Sequence, residues 1–333
     1  MEMQRRFFFT AALATLFCLT HSPVDAAERL SLSTWGSPKH YQVAEFVPLF
    51  ERLLQEKTNG SIRLKVFAGG EMVKQQFVAT AIPQGTVDIS LTTLDTWSGR
   101  VPDVGILTTP LWTKSMEWTL NNLRPGNKIF DFYDQKLRDQ GAVILTMFDI
   151  GPPILSTNFQ VTGPDSFSNM TVRAYSKGAA EVLQALGASP TIIGVGDVYS
   201  ALQRGTVKGA MGGLGGAVGL KHYEVTKFTF VPNGVMGTLI HAYVMNKSKF
   251  DSLSPDMQKA VLSAAGEARD YMQKYAITKQ KDLLDEVRKA GHEVVTVQPN
   301  SSLWDSFKKT LEPINKKARE SYSSEIVRLV TSD

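Results

Sequence analysis

The 333-residue sequence contains one cysteine, Cys18. It falls in an apolar run, Phe7 to Leu19, that follows Arg5 and Arg6 and precedes Ser22, Pro23 and the small-residue site Val24-Asp25-Ala26. That order describes a secretory signal peptide, and the run is too short to span a bilayer as a mature helix. Cleavage is expected after Ala26, and Phe17 ahead of Cys18 is a poor match to a lipoprotein processing site. A mature chain without cysteine excludes disulfides, Cys-ligated zinc and a thiol nucleophile. Histidine is scarce too. His21, His40, His222, His241 and His292 are scattered, and no pair has metal-ligand spacing. Charge of one sign is never concentrated: the net charge is +4, and losing Glu2, Arg5, Arg6 and Asp25 with the leader leaves it there. Nucleic acid and a polybasic membrane contact are therefore not expected partners. No long apolar run follows the leader, so the mature chain is expected to be soluble.

Enzyme motifs are missing as well. There is no G-x-S-x-G elbow, H-E-x-x-H helix, P-loop or calcium loop. Glycines 212, 213, 215, 216 and 219 invite a dinucleotide reading, but Val218 stands where G-x-G-x-x-G needs its last glycine. They also lie deep in the chain rather than after its first strand. No cofactor and no metal are expected.

What is present reads as α/β. Residues 27–333 exceed what one hydrophobic core usually serves, so two domains are expected. Leu30-Ser-Leu-Ser-Thr34 alternates like a strand; Val43, Phe46, Val47, Phe50, Leu53 and Leu54 recur at helical spacing; Ile62-Arg-Leu-Lys-Val-Phe67 alternates again. Pro48 is expected to bend that helix and Asn59-Gly60 to end it. This βαβ opening implies a parallel sheet covered by helices. Strands are expected at 87–91, 142–147, 170–175 and 191–195, and helices within 115–140, from Ser176 to near Gly187, and at 197–204. Asp149-Ile-Gly-Pro-Pro153 is a plausible crossing between lobes. Residues 255–290 form a long helical run broken only by Gly266, on the order of 50 Å at ~1.5 Å per residue.

From residue 56 onward the order of segments resembles the DctP-type periplasmic binding proteins of TRAP transporters. Glu56-Lys-Thr-Asn-Gly60 with Phe67-Ala-Gly-Gly-Glu71, and Gln84-Gly-Thr-Val-Asp88, carry the first part of the likeness. Met170-Thr-Val-Arg173, Leu186-Gly-Ala-Ser-Pro190 and Asp197-Val-Tyr-Ser-Ala-Leu-Gln203 form its most diagnostic block. Tyr223-Glu-Val-Thr-Lys-Phe228 and Leu253-Ser-Pro-Asp-Met-Gln258 follow in order. The resemblance implies a two-lobed periplasmic binding fold with crossing strands and a long helix spanning both lobes. The expected division is a signal peptide at 1–26, lobe I from 27–150 plus about 237–275, and lobe II from 151–236 plus about 276–333. The implied function is non-enzymatic: a small carboxylate is captured in the periplasm and delivered to TRAP permease membrane subunits. A binding protein for an ABC importer or a chemoreceptor, and a periplasmic enzyme, remain as other readings.

The resemblance also implies that the substrate carboxylate pairs with Arg173. Independently, Arg173 and Tyr175 share one face of a strand that leads into a helix N-terminus, a place where open α/β sheets bind ligands and anions are favoured. An arginine fork can give a carboxylate two parallel hydrogen bonds; from composition alone a structural salt bridge is favoured, and the family resemblance reverses that preference. Trp35, Gly36 and Trp97 end strands or follow them and could wall the site. His40 lies near the first helix start; Thr93, Asn233 and Met236 fall where the family tends to line its cleft; Glu71 reads as solvated. The sequence departs from the family at Pro153, where a second arginine is common, at Lys208, where an aspartate is usual, and at Ala210-Met-Gly-Gly213, which replaces a polar run. Gly212 and Gly213 would let a ligand approach closely. The expected ligand is therefore a monocarboxylate with a bulky or apolar body.

Overall fold

The computed structural model describes residues 27–38, 40–112 and 114–331. The expected signal peptide lies outside the described residues. Eleven strands are seen among them: β1 Glu28–Ser33, β2 Ile62–Phe67, β3 Ile89–Thr93, β4 Ala142–Asp149, β5 Ile154–Thr157, β6 Thr171–Ala174, β7 Ser189–Ile192, β8 Gly209–Gly212, β9 Phe228–Val231, β10 Ile240–Asn246 and β11 Glu293–Thr296. They form two sheets, ordered β2-β1-β3-β10-β4 and β11-β9-β5-β8-β6-β7. β1 runs parallel to β2 and β3, while β10 is antiparallel to β3 and β4. In the second sheet β5 is antiparallel to β8 and β9, and the other pairs are parallel.

β4 is buried along its whole length, as a strand covered on both faces must be. One core packs Trp97, Tyr133, Ile144 and Val244 together, and another packs Phe46, Phe50, Phe148 and Tyr243 against the same sheet. The second sheet has its own core around Phe167, Phe230, Phe307 and Leu311. Two lobes with separate cores result.

Local chemistry sets the boundaries. The expected helix at residues 40–58 is two helices, Tyr41–Ala44 and Phe46–Lys57, and Pro48 occupies the first turn of the second, where a missing N–H costs nothing. Asn59 and Gly60 then take positive φ and end it. Residues 115–140 divide into Met116–Asn122 and Lys128–Arg138, capped by Ser115 and Asn127. The long helix Pro255–Lys289 runs 35 residues without a break at Gly266. Ser254 caps it, and its alanines 264, 265 and 268 sit in the first-lobe core.

The lobes are joined where β4 leaves for β5 and where the chain returns to β10. Ile150 N–H donates to Leu239 O and Leu239 N–H to Gly151 O, so the two crossings pair with each other. Asp149, fully buried, accepts from Gly151 N (2.7 Å) and Thr238 Oγ1 (2.8 Å). Gln273 and Gln280 of the long helix clasp the backbone of Asp149 and Ile150. The final helix, Ser324–Thr331, departs from the expected division: Ile326 and Val330 enter the first-lobe core, so the C-terminal segment crosses back. Among the described residues no helix is long and apolar enough to cross a membrane.

Candidate functional site

The lobes meet over a cavity of about 40 Å³ floored by the crossing strands. Arg173 forms one wall. Val172 of β6 points into the second-lobe core, so period-two alternation turns Arg173 to the other face. Its neighbours fix its guanidinium: Nε donates to Ile193 O (2.9 Å), just past β7, and Nη1 to Met211 O (2.7 Å) in β8. The side chain is 4% exposed. Burial lowers its pKa to about 10, with the neighbouring Tyr175 opposing the shift, so it is charged at neutral pH. Among the described residues no carboxylate lies within ion-pair distance of it. A cation removed from water without a counter-charge is costly by several kcal/mol, which makes the place a site for an anion. His222 lines the same cavity, and its buried Nε2 has no partner among the described residues. Burial first, and then the Arg173 charge, lower its pKa to about 4 and keep the ring neutral.

The first lobe supplies the opposite wall. Trp35 follows β1, and its indole meets the rings of His40 (centroids 5.2 Å apart, 69°) and His241 (5.3 Å, 87°) edge to face. His241 is oriented by Gln42, whose Oε1 lies 2.9 Å from its Nδ1. Burial lowers His40 to about 4 and His241 to about 3, the latter helped by His40. Thr93 closes β3 and accepts from Gln75 Nε2 at 2.6 Å. Among the described residues no Asp, Glu or Lys lines this cavity, and the one permanent charge they bring to it is the guanidinium.

Of the sequence-predicted residues, Arg173, Trp35, His40, Thr93, Tyr175, Gly212 and Gly213 line this cavity together. Four do not. Gly36 packs beneath Val43 and His40, and its carbonyl accepts from Thr34 Oγ1 and Gly69 N. Trp97 is fully buried in the first-lobe core because the 3-10 turn Leu94–Trp97 folds it back to donate to Thr92 Oγ1. Asn233 is a turn residue at φ 47° whose amide donates to Val297 O. Met236 is in the second-lobe core and lines a different groove.

The glycines also play another part than expected. A Cβ on Gly212 would lie 3.3 Å from Arg173 Nη1, and one on Gly213 would lie 2.9 Å from Ile150 Cδ1. Their space is occupied by the protein's own arginine and isoleucine, which is why the cavity is small. Gly215 lies against Tyr41 of the first lobe, where a Cβ would come within 1.9 Å of Cε1. The glycine run is thus a flat seat on which the first lobe closes.

Sequence reasoning missed Gln75, His222 and His241. For His241 the available signal was a lone histidine inside an apolar strand; the other two carry none.

The second groove, about 190 Å³, lies on the far side of Tyr175, which lines both spaces. Here Ser176 Oγ, capping the helix Lys177–Ala185, donates to Asp95 Oδ2 of the first lobe at 2.5 Å. Asp95 is 4% exposed, and burial raises its pKa to about 6. Among the described residues no group of three or more His, Cys, Asp or Glu could hold a metal ion.

Comparison with known proteins places these features in a wider group. The sequence model described as "Bacterial extracellular solute-binding protein, family 7" matches residues 32–321. The C4-dicarboxylate-binding periplasmic protein of Rhodobacter capsulatus is 27% identical over 287 residues, 84% of each chain. The 2,3-diketo-L-gulonate-binding periplasmic protein of Escherichia coli is 26% identical over 249 residues, 74% of this chain and 75% of its own. A TRAP periplasmic solute-binding protein from Desulfovibrio salexigens, solved with bound orotic acid, superposes with a TM-score of 0.83 at 22% identity, over 91% of this chain and 97% of that one.

Proposed function

Because the chain belongs to the DctP family of bacterial extracellular solute-binding proteins, we propose that it captures one small organic monocarboxylate between its lobes. It hands that acid, unchanged, from the periplasm to a TRAP permease in the membrane. The observation that carries the reading is Arg173: buried, charged, and without a carboxylate partner among the described residues. The ligand class follows from charge balance. Among the described residues the lining holds one guanidinium, three neutral imidazoles and no acid, which matches a single negative charge. A second carboxylate would be buried without a counter-ion.

Ile150, Ile154, Val195 and Leu239 supply an apolar remainder, so the body of the acid is partly apolar. It is also compact, since a water needs roughly 10–15 Å³ measured this way and the cavity holds only a few. The relatives named for dicarboxylate and diketogulonate and the neighbour holding orotic acid support an organic acid as the ligand class. Mass spectrometry of the acid that copurifies with the protein, followed by calorimetric titration of wild type and Arg173→Ala, tests the reading. A monocarboxylate bound one to one by wild type and lost from the variant is the expected result. Equal affinity in both proteins sinks it.

A further inference from the structure

We propose that Trp35 Nε1 and the His40 ring form a second, uncharged subsite on the first lobe, which holds a carbonyl or hydroxyl oxygen of the acid whose carboxylate lies on Arg173. The proposal rests on the receptor reading above and narrows its substrate class to oxygenated monocarboxylates.

Two buried polar atoms on the first-lobe wall lack partners among the described residues. Trp35 is 8% exposed and His40 3%, both line the cavity that Arg173 faces, and their rings touch. Trp35 Nε1 and His40 Nδ1 are buried with no hydrogen-bond partner among the described residues. Other polar groups on this wall are engaged: His241 Nδ1 with Gln42, and Gln75 with Thr93. Native interiors leave few buried polar atoms unsatisfied, and each costs about 1–3 kcal/mol. Both atoms belong to touching side chains that line one cavity, and an occupant there is what could satisfy them.

Their chemistry sets the kind of group. An indole N–H can only donate, so it calls for an acceptor. A neutral imidazole can offer either an N–H or a lone pair, so a carbonyl and a hydroxyl both suit it. Neither group carries charge: burial holds the His40 ring neutral at pH 7. An alkyl group placed here would leave the indole unsatisfied. A carboxylate would give it an acceptor but would bury a second negative charge, and among the described lining residues only Arg173, on the opposite lobe, could balance it. Affinity should therefore rank oxygenated monocarboxylate first, with the plain alkanoate and the dicarboxylate below it. Because the two subsites belong to different lobes, an acid spanning both also favours the closed form.

Calorimetry with matched acids tests this. Pyruvate, 2-oxobutanoate, 3-hydroxybutanoate and 4-oxopentanoate are each titrated beside the alkanoate of equal chain length, with succinate as the dicarboxylate matching 4-oxopentanoate in size. At least one oxygenated acid should bind tenfold or more tighter than its alkanoate and tighter than succinate. Trp35→Phe, which removes the N–H and keeps an aromatic ring, should weaken the oxygenated acids about tenfold more than the alkanoates and so erase that margin, the hydrogen bond and its unsatisfied donor accounting for the difference. Equal affinity for oxygenated acids and alkanoates in wild type overturns the subsite, and this arm needs no variant to fold. A Trp35→Phe protein weakened equally for both classes also overturns it, showing that the indole only packs. If acids bind but Arg173→Ala has no effect, the receptor reading falls first, an outcome distinct from either of these.

Discussion

Two arginines are almost equally buried in this protein and do opposite things. Arg269, 2% exposed on the long helix, has every nitrogen engaged: Nε with Met147 O, Nη2 with Thr119 O and Nη1 with Asp270 Oδ1. Arg173, 4% exposed, has two nitrogens on backbone carbonyls and no acid to neutralise it among the described residues. Burial lowers the pKa of both. What separates a structural cation from a ligand-binding one is thus not burial but whether the protein itself completes the group. Arg269 ties the helix Met116–Asn122 and β4 to the long helix. Arg173 is held in position by its own lobe, and under the proposed function its counter-charge is the bound acid.

That contrast can be broken by two substitutions. Arg269→Ala strips partners from two buried carbonyls and leaves a void, and should lower the unfolding free energy by roughly 3–5 kcal/mol, read from urea denaturation. Ligand affinity of the protein that remains folded should hardly change. Arg173→Ala should do the reverse, costing about 2–5 kcal/mol of binding, a loss of roughly thirtyfold or more in a calorimetric titration. Its effect on ligand-free stability should be small, because two lost hydrogen bonds are offset by relief of an unpaired buried charge. If Arg173→Ala unfolded the protein as Arg269→Ala does while binding survived, the two residues would be of one kind and the site would lie elsewhere.

The sequence singled out one of these arginines and not the other. Arg173 stood out because a short alternating strand ended at a helix cap, local features that survive in one dimension, and because segment order matched a family. The sheet-helix alternation, the crossing at residues 149–153 and the long helix were readable for the same reason. The first-lobe wall was only half readable. Trp35 and His40 were found at the end of a strand and the start of a helix. His241 reaches the same wall from β10, some two hundred residues later, through an antiparallel pairing that no local pattern announces. Trp97 looked equivalent to Trp35, yet a 3-10 turn rotates it into the core, and turn geometry of that kind leaves little trace in residue type. The glycines misled because a missing Cβ is seen in the sequence, whereas the side chain that fills its space is not.

Gly215 sharpens the comparison between lobes. A methyl group there would meet the Tyr41 ring across the lobe contact, a clash that opening of the lobes under the proposed function would relieve. Overpacking of this kind costs about 1–3 kcal/mol, so Gly215→Ala should weaken ligand binding about tenfold or more and leave the urea midpoint of the ligand-free protein nearly unchanged. Tyr41→Ala in the same chain should restore most of the loss, the coupling expected of two groups in contact. Additive losses would show that the glycine matters for its own helix and not for closure.

The smallest effect concerns the other interlobe contact, Asp95 with Ser176. In the closed form burial raises Asp95 from 3.8 to about 6, so closure favours the protonated carboxyl. A raised folded pKa gives stabilisation that is complete below the ordinary value and lost as pH rises through about 6. Affinity for a carboxylic acid should therefore increase by up to about tenfold as pH falls from 7 to 5, a range in which most of the ligand is ionised. The three cavity histidines titrate at about 4 or below and contribute little there. Asp149 is also raised to about 6, but it lies in the crossing strands, where Gly151 and Thr238 satisfy it. Calorimetry across this range on Asp95→Asn separates the two carboxyls. A flat profile assigns the acid-side gain to burial of the Asp95 carboxyl at the lobe contact, while an undiminished slope assigns it to the hinge and removes Asp95 from closure.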